Sequence, residues 1–145
     1  MIIKTGIPHR GFTLVEIMIV IAVIAMLAAV SIPVFLRARI QANETSAISS
    51  LRTISTSCVG FRSIQSPLSY PNNLGELSAA VPPYIDQILG AGTKQGYVFN
   101  YNLVGPDQYT CTAAPVTPNI TGVRIFFVDE SGVIRVNNAA GAPVE

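Results

Sequence analysis

Little in this chain could do covalent chemistry. Its 145 residues include one histidine, His9, and two cysteines, Cys58 and Cys111. His9 lies among the basic residues that open the chain, and no His/Cys group has the spacing of a metal site. With no histidine elsewhere, neither a Ser-His-Asp nor a Cys-His nucleophile system can be assembled. A phosphate-cradling glycine loop is missing as well. The carboxylates of Glu44, Glu76, Asp86, Asp107, Asp129, Glu130 and Glu145 are scattered along the chain. These observations argue against an enzyme, a metal centre and a bound cofactor. The formal charge of +1 gives no signal for specific nucleic-acid binding. One acidic group stands apart: Glu16 sits inside the most apolar stretch of the chain.

The elements around Glu16 explain why it matters. Met1–Gly11 carries Lys4, His9 and Arg10, with Pro8 opposing helix formation. Residues 12–36 follow, and Ile17 to Val30 contain no polar side chain. As a helix this stretch would be about 37 Å long, enough to span a hydrocarbon core of about 30 Å. The basic leader predicts a cytoplasmic N-terminus. Without Lys4 and Arg10, seven of the nine Lys and Arg remain, against eight Asp and Glu. Only 12% of residues are charged and half are hydrophobic, as expected when one segment is very apolar.

Three residues do not suit a plain anchor. A carboxylate such as Glu16 costs about 2.5–3.5 kcal/mol at mid-membrane and less near the interface. Pro33 is expected to break the helix, because it lacks the N–H that would bond the carbonyl of Ala29. Gly11 directly precedes the apolar run. A secretory signal cut after Ala29-Val30-Ser31 and an uncleaved anchor are the rival readings, and neither explains Glu16 placed just after Gly11-Phe12. A membrane-anchored or secreted binding module follows from those rivals.

Gly11-Phe12-Thr13-Leu14-Val15-Glu16, with the apolar run to Ile32-Pro33, closely resembles the signature of type IV pilins and type II secretion pseudopilins. The resemblance covers about the first quarter of the chain. It implies a leader, residues 1–11, removed by a prepilin peptidase between Gly11 and Phe12, and N-methylation of the new Phe12 amine. It implies a homopolymeric filament built through residues 12–36, inserted in the lipid bilayer before assembly and assembled by an inner-membrane platform. The product would be a surface pilus or a periplasm-spanning pseudopilus, with the pilus favoured and a major pseudopilin as the alternative. Residues 12 and 16 share a helix face, so Glu16 could neutralise the Phe12 amine within one chain or in a neighbour. This chain has Ala25 where the family often has glycine, so loss of helicity before Pro33 is less favoured.

Beyond Arg37 the helical pattern becomes one-sided, with Ala47, Leu51, Ile54, Cys58 and Phe61 recurring at spacings of three and four. Pro67 ends the helix near Ser66, and residues 37–66 form its amphipathic half. From Phe12 to Ser63 the helix would be about 78 Å long. A small head cannot cover that length. The expected fold is α+β: a long N-terminal helix packed on a small antiparallel sheet, the pilin fold, with residues 67–145 as the globular head. A short helix is expected around Asn73–Ala80. Alternation predicts three strands with inward sets Tyr97/Phe99/Tyr101, Tyr109/Cys111/Ala113 and Val123/Ile125/Phe127. A turn at Glu130-Ser131-Gly132 leads to a fourth strand over Val133–Val136, and the tail from Ala139 is expected to fray.

Cys58 and Cys111 fall on probable core faces. In an extracytoplasmic head a disulfide between them is permitted, and two buried free thiols are the alternative. Asp129 and Glu130 read as a hairpin turn rather than a calcium site. Asn43-Glu44-Thr45 and Asn119-Ile120-Thr121 match glycosylation sequons by coincidence. Arg37 and Arg39 either meet lipid headgroups or are ordinary solvated charges.

Overall fold

The computed structural model describes residues 11–144. The basic residues of the leader lie outside them. The elements are α1 (Leu14–Ile64), α2 (Leu74–Ala79), α3 (Gln87–Gly90), β1 (Thr93–Lys94), β2 (Tyr97–Gly105), β3 (Gln108–Pro115), β4 (Phe126–Asp129) and β5 (Arg135–Val136). The chain divides into two compact units, one ending at Leu36 and one beginning at Arg37.

Among the described residues of the first unit the regular element is the opening part of α1. It is long and apolar enough to cross a membrane, and none of that apolar window is buried. Ile21, Ile24, Leu27, Val30 and Phe35 are all exposed. Pro33 does not break the helix, contrary to the sequence expectation: α1 runs through it. A proline inside a helix removes one backbone hydrogen bond, a cost of about 3 kcal/mol, while the bonds of neighbouring turns persist.

The second unit has its own core. Ala47, Leu51, Ile54 and Cys58 of α1 are buried, as the three-and-four spacing requires. Against them pack Tyr97 and Phe99 of β2 and Tyr109, Cys111 and Ala113 of β3, all buried on one face of each strand. The sheet is a five-stranded antiparallel meander in the order β1-β2-β3-β4-β5. Asn73 caps α2, accepting the N–H of Glu76 at 3.0 Å, and Leu74 and Leu77 of that helix reach the core. Asp86 caps the four-residue α3, which sequence periodicity did not reveal.

Two expectations about the later strands are corrected. The inward residues of β4 are Phe126 and Val128, both fully buried, whereas Val123 is 59% and Ile125 39% exposed. The predicted set was therefore one residue out of phase. Val123 and Arg124 do not join the sheet, because their N–H groups are bound elsewhere, whereas the Ile125 carbonyl still accepts the N–H of Asn137 next to β5 at 2.9 Å. The fourth strand is shortened to Arg135–Val136, with Ile134 buried before it. The tail is tied down rather than frayed: Val136 N–H donates to the carbonyl of Ala142 at 3.0 Å, and Val144 N–H to that of Ile134 at 2.8 Å.

The phase of β4 has a direct test by chemical denaturation of the detergent-solubilised chain. Phe126→Ala should cost about 3–5 kcal/mol as a fully buried truncation. Phe127→Ala, half-buried on the other face, should cost about 1 kcal/mol. A reversed ranking would restore the phase read from the sequence.

Candidate functional site

The first helical turn of α1 is built by Thr13 and Glu16. Thr13 precedes Leu14 and caps the helix: its Oγ1 accepts the N–H of Glu16 at 3.2 Å. In return Glu16 Oε2 accepts the Thr13 N–H at 2.9 Å and the Thr13 hydroxyl at 3.0 Å. This reciprocal arrangement is a capping box, satisfying two donors that a helix start otherwise leaves unpaired. Such a cap stabilises a helix by about 1 kcal/mol. Sequence reasoning singled out Glu16 for its charge and missed Thr13, although Thr-x-x-Glu before an apolar run is the signal for this motif.

Gly11 and Phe12 precede the helix in non-helical backbone, both exposed, with Phe12 at 82%. The Gly11–Phe12 peptide is thus unencumbered by the rest of the described chain. Glu16 Oε1 accepts no hydrogen bond among the described residues, which leaves one carboxylate oxygen open to a further donor.

A second constellation, unforeseen in the sequence, fastens the β3–β4 connection to α1. Glu44 is 6% exposed. Its Oε1 accepts the N–H groups of Val123 and Arg124 at 2.9 and 3.0 Å, and Oε2 accepts Arg124 Nε at 2.8 Å. Arg124 Nη2 lies 2.7 Å from the same oxygen. Beside it, Asn43 donates through Nδ2 to the carbonyl of Thr121 at 2.8 Å, and the Tyr97 hydroxyl donates to that of Arg124 at 2.9 Å. A side chain at Gly122 would collide with the Tyr97 ring, so only glycine lets the strap lie this close. Burial alone would raise the Glu44 carboxyl. The two backbone N–H groups and the Arg124 guanidinium outweigh burial and hold it below the usual carboxylate range. Asn43 of the first sequon is thereby engaged in holding the strap.

The cysteines are both free and buried, so the disulfide permitted by the sequence is not formed. Burial pushes Cys58 up to about 12, against a lowering by the neighbouring Tyr101 hydroxyl. Burial, with a further contribution from Cys58, likewise raises Cys111 to about 12. Burial also raises the hydroxyls of Tyr101 and Tyr109 well above the ordinary tyrosine value. Asp129 is occupied by Arg135 Nη1 at 3.1 Å and by the Ser131 N–H at 3.0 Å. Gly132 closes that turn with φ +72°. Among the described residues no three His, Cys, Asp or Glu side chains gather as a metal site would need.

A family model and two characterised relatives match this chain. Residues 8–32 match the prokaryotic N-terminal methylation motif. A type IV major pilin protein of Myxococcus xanthus is 37% identical over 68 residues, covering 46% of this chain and 31% of that protein. A type IV wide pilus major component of Thermus thermophilus is 64% identical over 36 residues, covering 25% of this chain and 28% of its own length. The matched region is thus about a third of each relative's length. No solved structure matches this chain. The likeness to the type IV pilin family that the sequence suggested is supported by this motif and by both relatives.

Two measurements check these sites. Because the folded pKa of Glu44 is depressed, its stabilisation is fully present above the unfolded value near 4.5. That stabilisation is lost as pH falls below 4.5 through the folded pKa. Glu44→Gln should cost about 2 kcal/mol at pH 7, the range for hydrogen bonds to a charged group, and the gap to wild type should close on acidification. A pH-independent gap would assign the loss to packing instead. For the thiols, native protein at pH 8 should resist iodoacetamide and take up two equivalents only after unfolding, and rapid native labelling of either cysteine would contradict their burial.

Proposed function

We propose that this chain is the structural subunit of a type IV pilus-like filament, polymerised through its N-terminal helix. The observation that carries the reading is the apolar part of α1. No residue in its membrane-length window is buried, and most of the apolar stretch lies within residues 8–32, which match the N-terminal methylation motif. A surface of that kind needs a bilayer or sister chains as its surroundings.

In this reading the precursor sits in a bacterial inner membrane with its basic leader in the cytoplasm and residues 37–145 outside it. A prepilin peptidase cuts between Gly11 and Phe12 and methylates the Phe12 amine. The subunit then passes from lipid into a homopolymer through an inner-membrane assembly platform. Residues 1–11 act as the leader, 12–36 as the assembly helix, 37–66 as its amphipathic continuation and 67–145 as the head. The names of the two relatives, a major pilin and a wide pilus component, favour a pilus over a secretion pseudopilus.

Glu16 supplies the assembly charge. Its Oε2 is held by Thr13, and its Oε1, open among the described residues, accepts a Phe12 amine, either its own or a neighbour's. Local softening around Pro33 on packing into the filament belongs to the same proposal, since α1 alone carries the proline without breaking.

The mature N-terminus decides the reading. Mass spectrometry of sheared surface filaments should find N-methyl-Phe12, and a chain that begins near Ile32 or retains its leader would refute it. A second experiment separates charge from cap. Glutamine keeps an acceptor for the capping box but no anion. Glu16→Gln should therefore insert normally yet lower filament yield at least tenfold, and Glu16→Ala should do the same. Full yield from Glu16→Gln together with loss from Glu16→Ala would reassign Glu16 to capping alone.

A further inference from the structure

Where the strap crosses α1 there is a shallow pocket of about 420 Å³, lined by Arg37, Ile40, Gln41, Glu44, Val123 and Arg124. Its charges are unevenly satisfied. Glu44 has both oxygens occupied, and Arg124 answers its charge through Nε and Nη2. Arg124 Nη1 has no partner among the described residues, and Arg37 makes no ion pair there. One uncompensated positive charge therefore faces a pocket whose floor, Ile40 and Val123, is apolar.

The pocket's position in the chain limits what fills it. Arg37 is the first charged residue after the apolar stretch. In a membrane-inserted precursor it falls where hydrocarbon gives way to headgroups. The strap beside it exposes Val116 at 53%, Ile120 at 64% and Val123 at 59%. Cationic groups next to uncovered apolar side chains are the chemistry of a membrane surface. A free phosphate would use the cations and leave the apolar side chains unexplained.

We infer that this pocket binds the headgroup phosphate of an anionic phospholipid while the chain resides in the bilayer. Arg37 and Arg124 Nη1 donate to the phosphodiester oxygens, as guanidinium groups do well, and the Gln41 amide is at hand for a further hydrogen bond. Val123 and Ile120 lie against the glycerol and upper acyl region. The Glu44 latch holds both Arg124 and the strap in place for this contact. The inference rests on the membrane-precursor reading proposed above.

The test uses the full-length uncut chain in nanodiscs of mixed phosphatidylglycerol and phosphatidylcholine, with retained lipid counted by native mass spectrometry. Wild type should retain phosphatidylglycerol at least tenfold over phosphatidylcholine. Arg37→Gln should lower that retention at least fivefold, and Arg39→Gln, which does not line the pocket, should change it less than twofold. Equal losses from both variants would indicate a general effect of interfacial charge and overturn the proposal. So would an absent lipid preference, or inorganic phosphate at 10 mM (about) displacing the lipid completely. Unchanged lipid retention with impaired filament assembly in Arg37→Gln would assign the pocket to a second copy of the chain and likewise overturn it. Alkaline carbonate extraction of wild type is run alongside. Release from the membrane there would sink the precursor reading itself, whereas firm insertion without lipid selectivity would sink the pocket alone.

Discussion

The constraint from which the rest follows is an apolar helical surface that is left unburied among the described residues. Burying a large aliphatic or aromatic side chain is worth about 1.5–3 kcal/mol. More than a dozen such side chains between Phe12 and Leu36 stay exposed. Their summed preference for an apolar medium is of order tens of kcal/mol, against about 5–15 kcal/mol for the stability of a whole domain. No adjustment within residues 37–144 could compensate for leaving that surface in water. The surroundings of this helix are therefore part of its structure, whether they are lipid or other copies.

The unit from Arg37 onward meets the opposite problem, since it must hold a small sheet on one helix face with few residues. It does so with buried tyrosines and phenylalanines from β2, β3 and β4 over Leu51, Ile54 and Cys58, and with a polar clasp at one edge. Glu44 is buried, yet every lone pair direction it needs is met by a backbone N–H or by Arg124. A buried carboxylate with that many donors is tolerable, and one without them costs several kcal/mol. The clasp also decides the course of the chain. By binding the N–H groups of Val123 and Arg124, it keeps those two residues out of the ladder, and β4 starts at Phe126.

That decision marks the limit of what local sequence could reveal. The faces of β2 and β3 were legible because Tyr97, Phe99 and Tyr101 in one and Tyr109, Cys111 and Ala113 in the other fall in a single phase, set against Asn100, Asn102, Thr110 and Thr112. In Val123-Arg124-Ile125-Phe126-Phe127-Val128 both phases carry apolar residues, so alternation alone cannot choose. The choice is made by Glu44, about eighty positions away in the chain. Glu16 was legible because a carboxylate in an apolar run has so few explanations. Its partner Thr13 was hidden by that same reading, which looked for a charge and not for a helix start. The tail from Ala139 looked unstructured because its small residues carry no pattern. Its order comes from backbone bonds to residues 134 and 136, which no side chain announces.

The cap and the proposed charge pair at Glu16 are compatible, because they use different oxygens. A helix that begins in an apolar medium leaves backbone N–H groups with no water to meet them, and each unmet group costs several kcal/mol. Thr13 and Glu16 Oε2 settle two donors within one turn. Cleavage before Phe12 would leave that box intact and convert the neighbouring backbone nitrogen into a cation. The new amine would then lie beside a carboxylate that is already oriented by Thr13 and has Oε1 unoccupied. An anion fixed by a cap loses little further side-chain freedom on pairing, so the first turn of α1 can serve as a pre-set acceptor for whichever amine the surroundings bring to it.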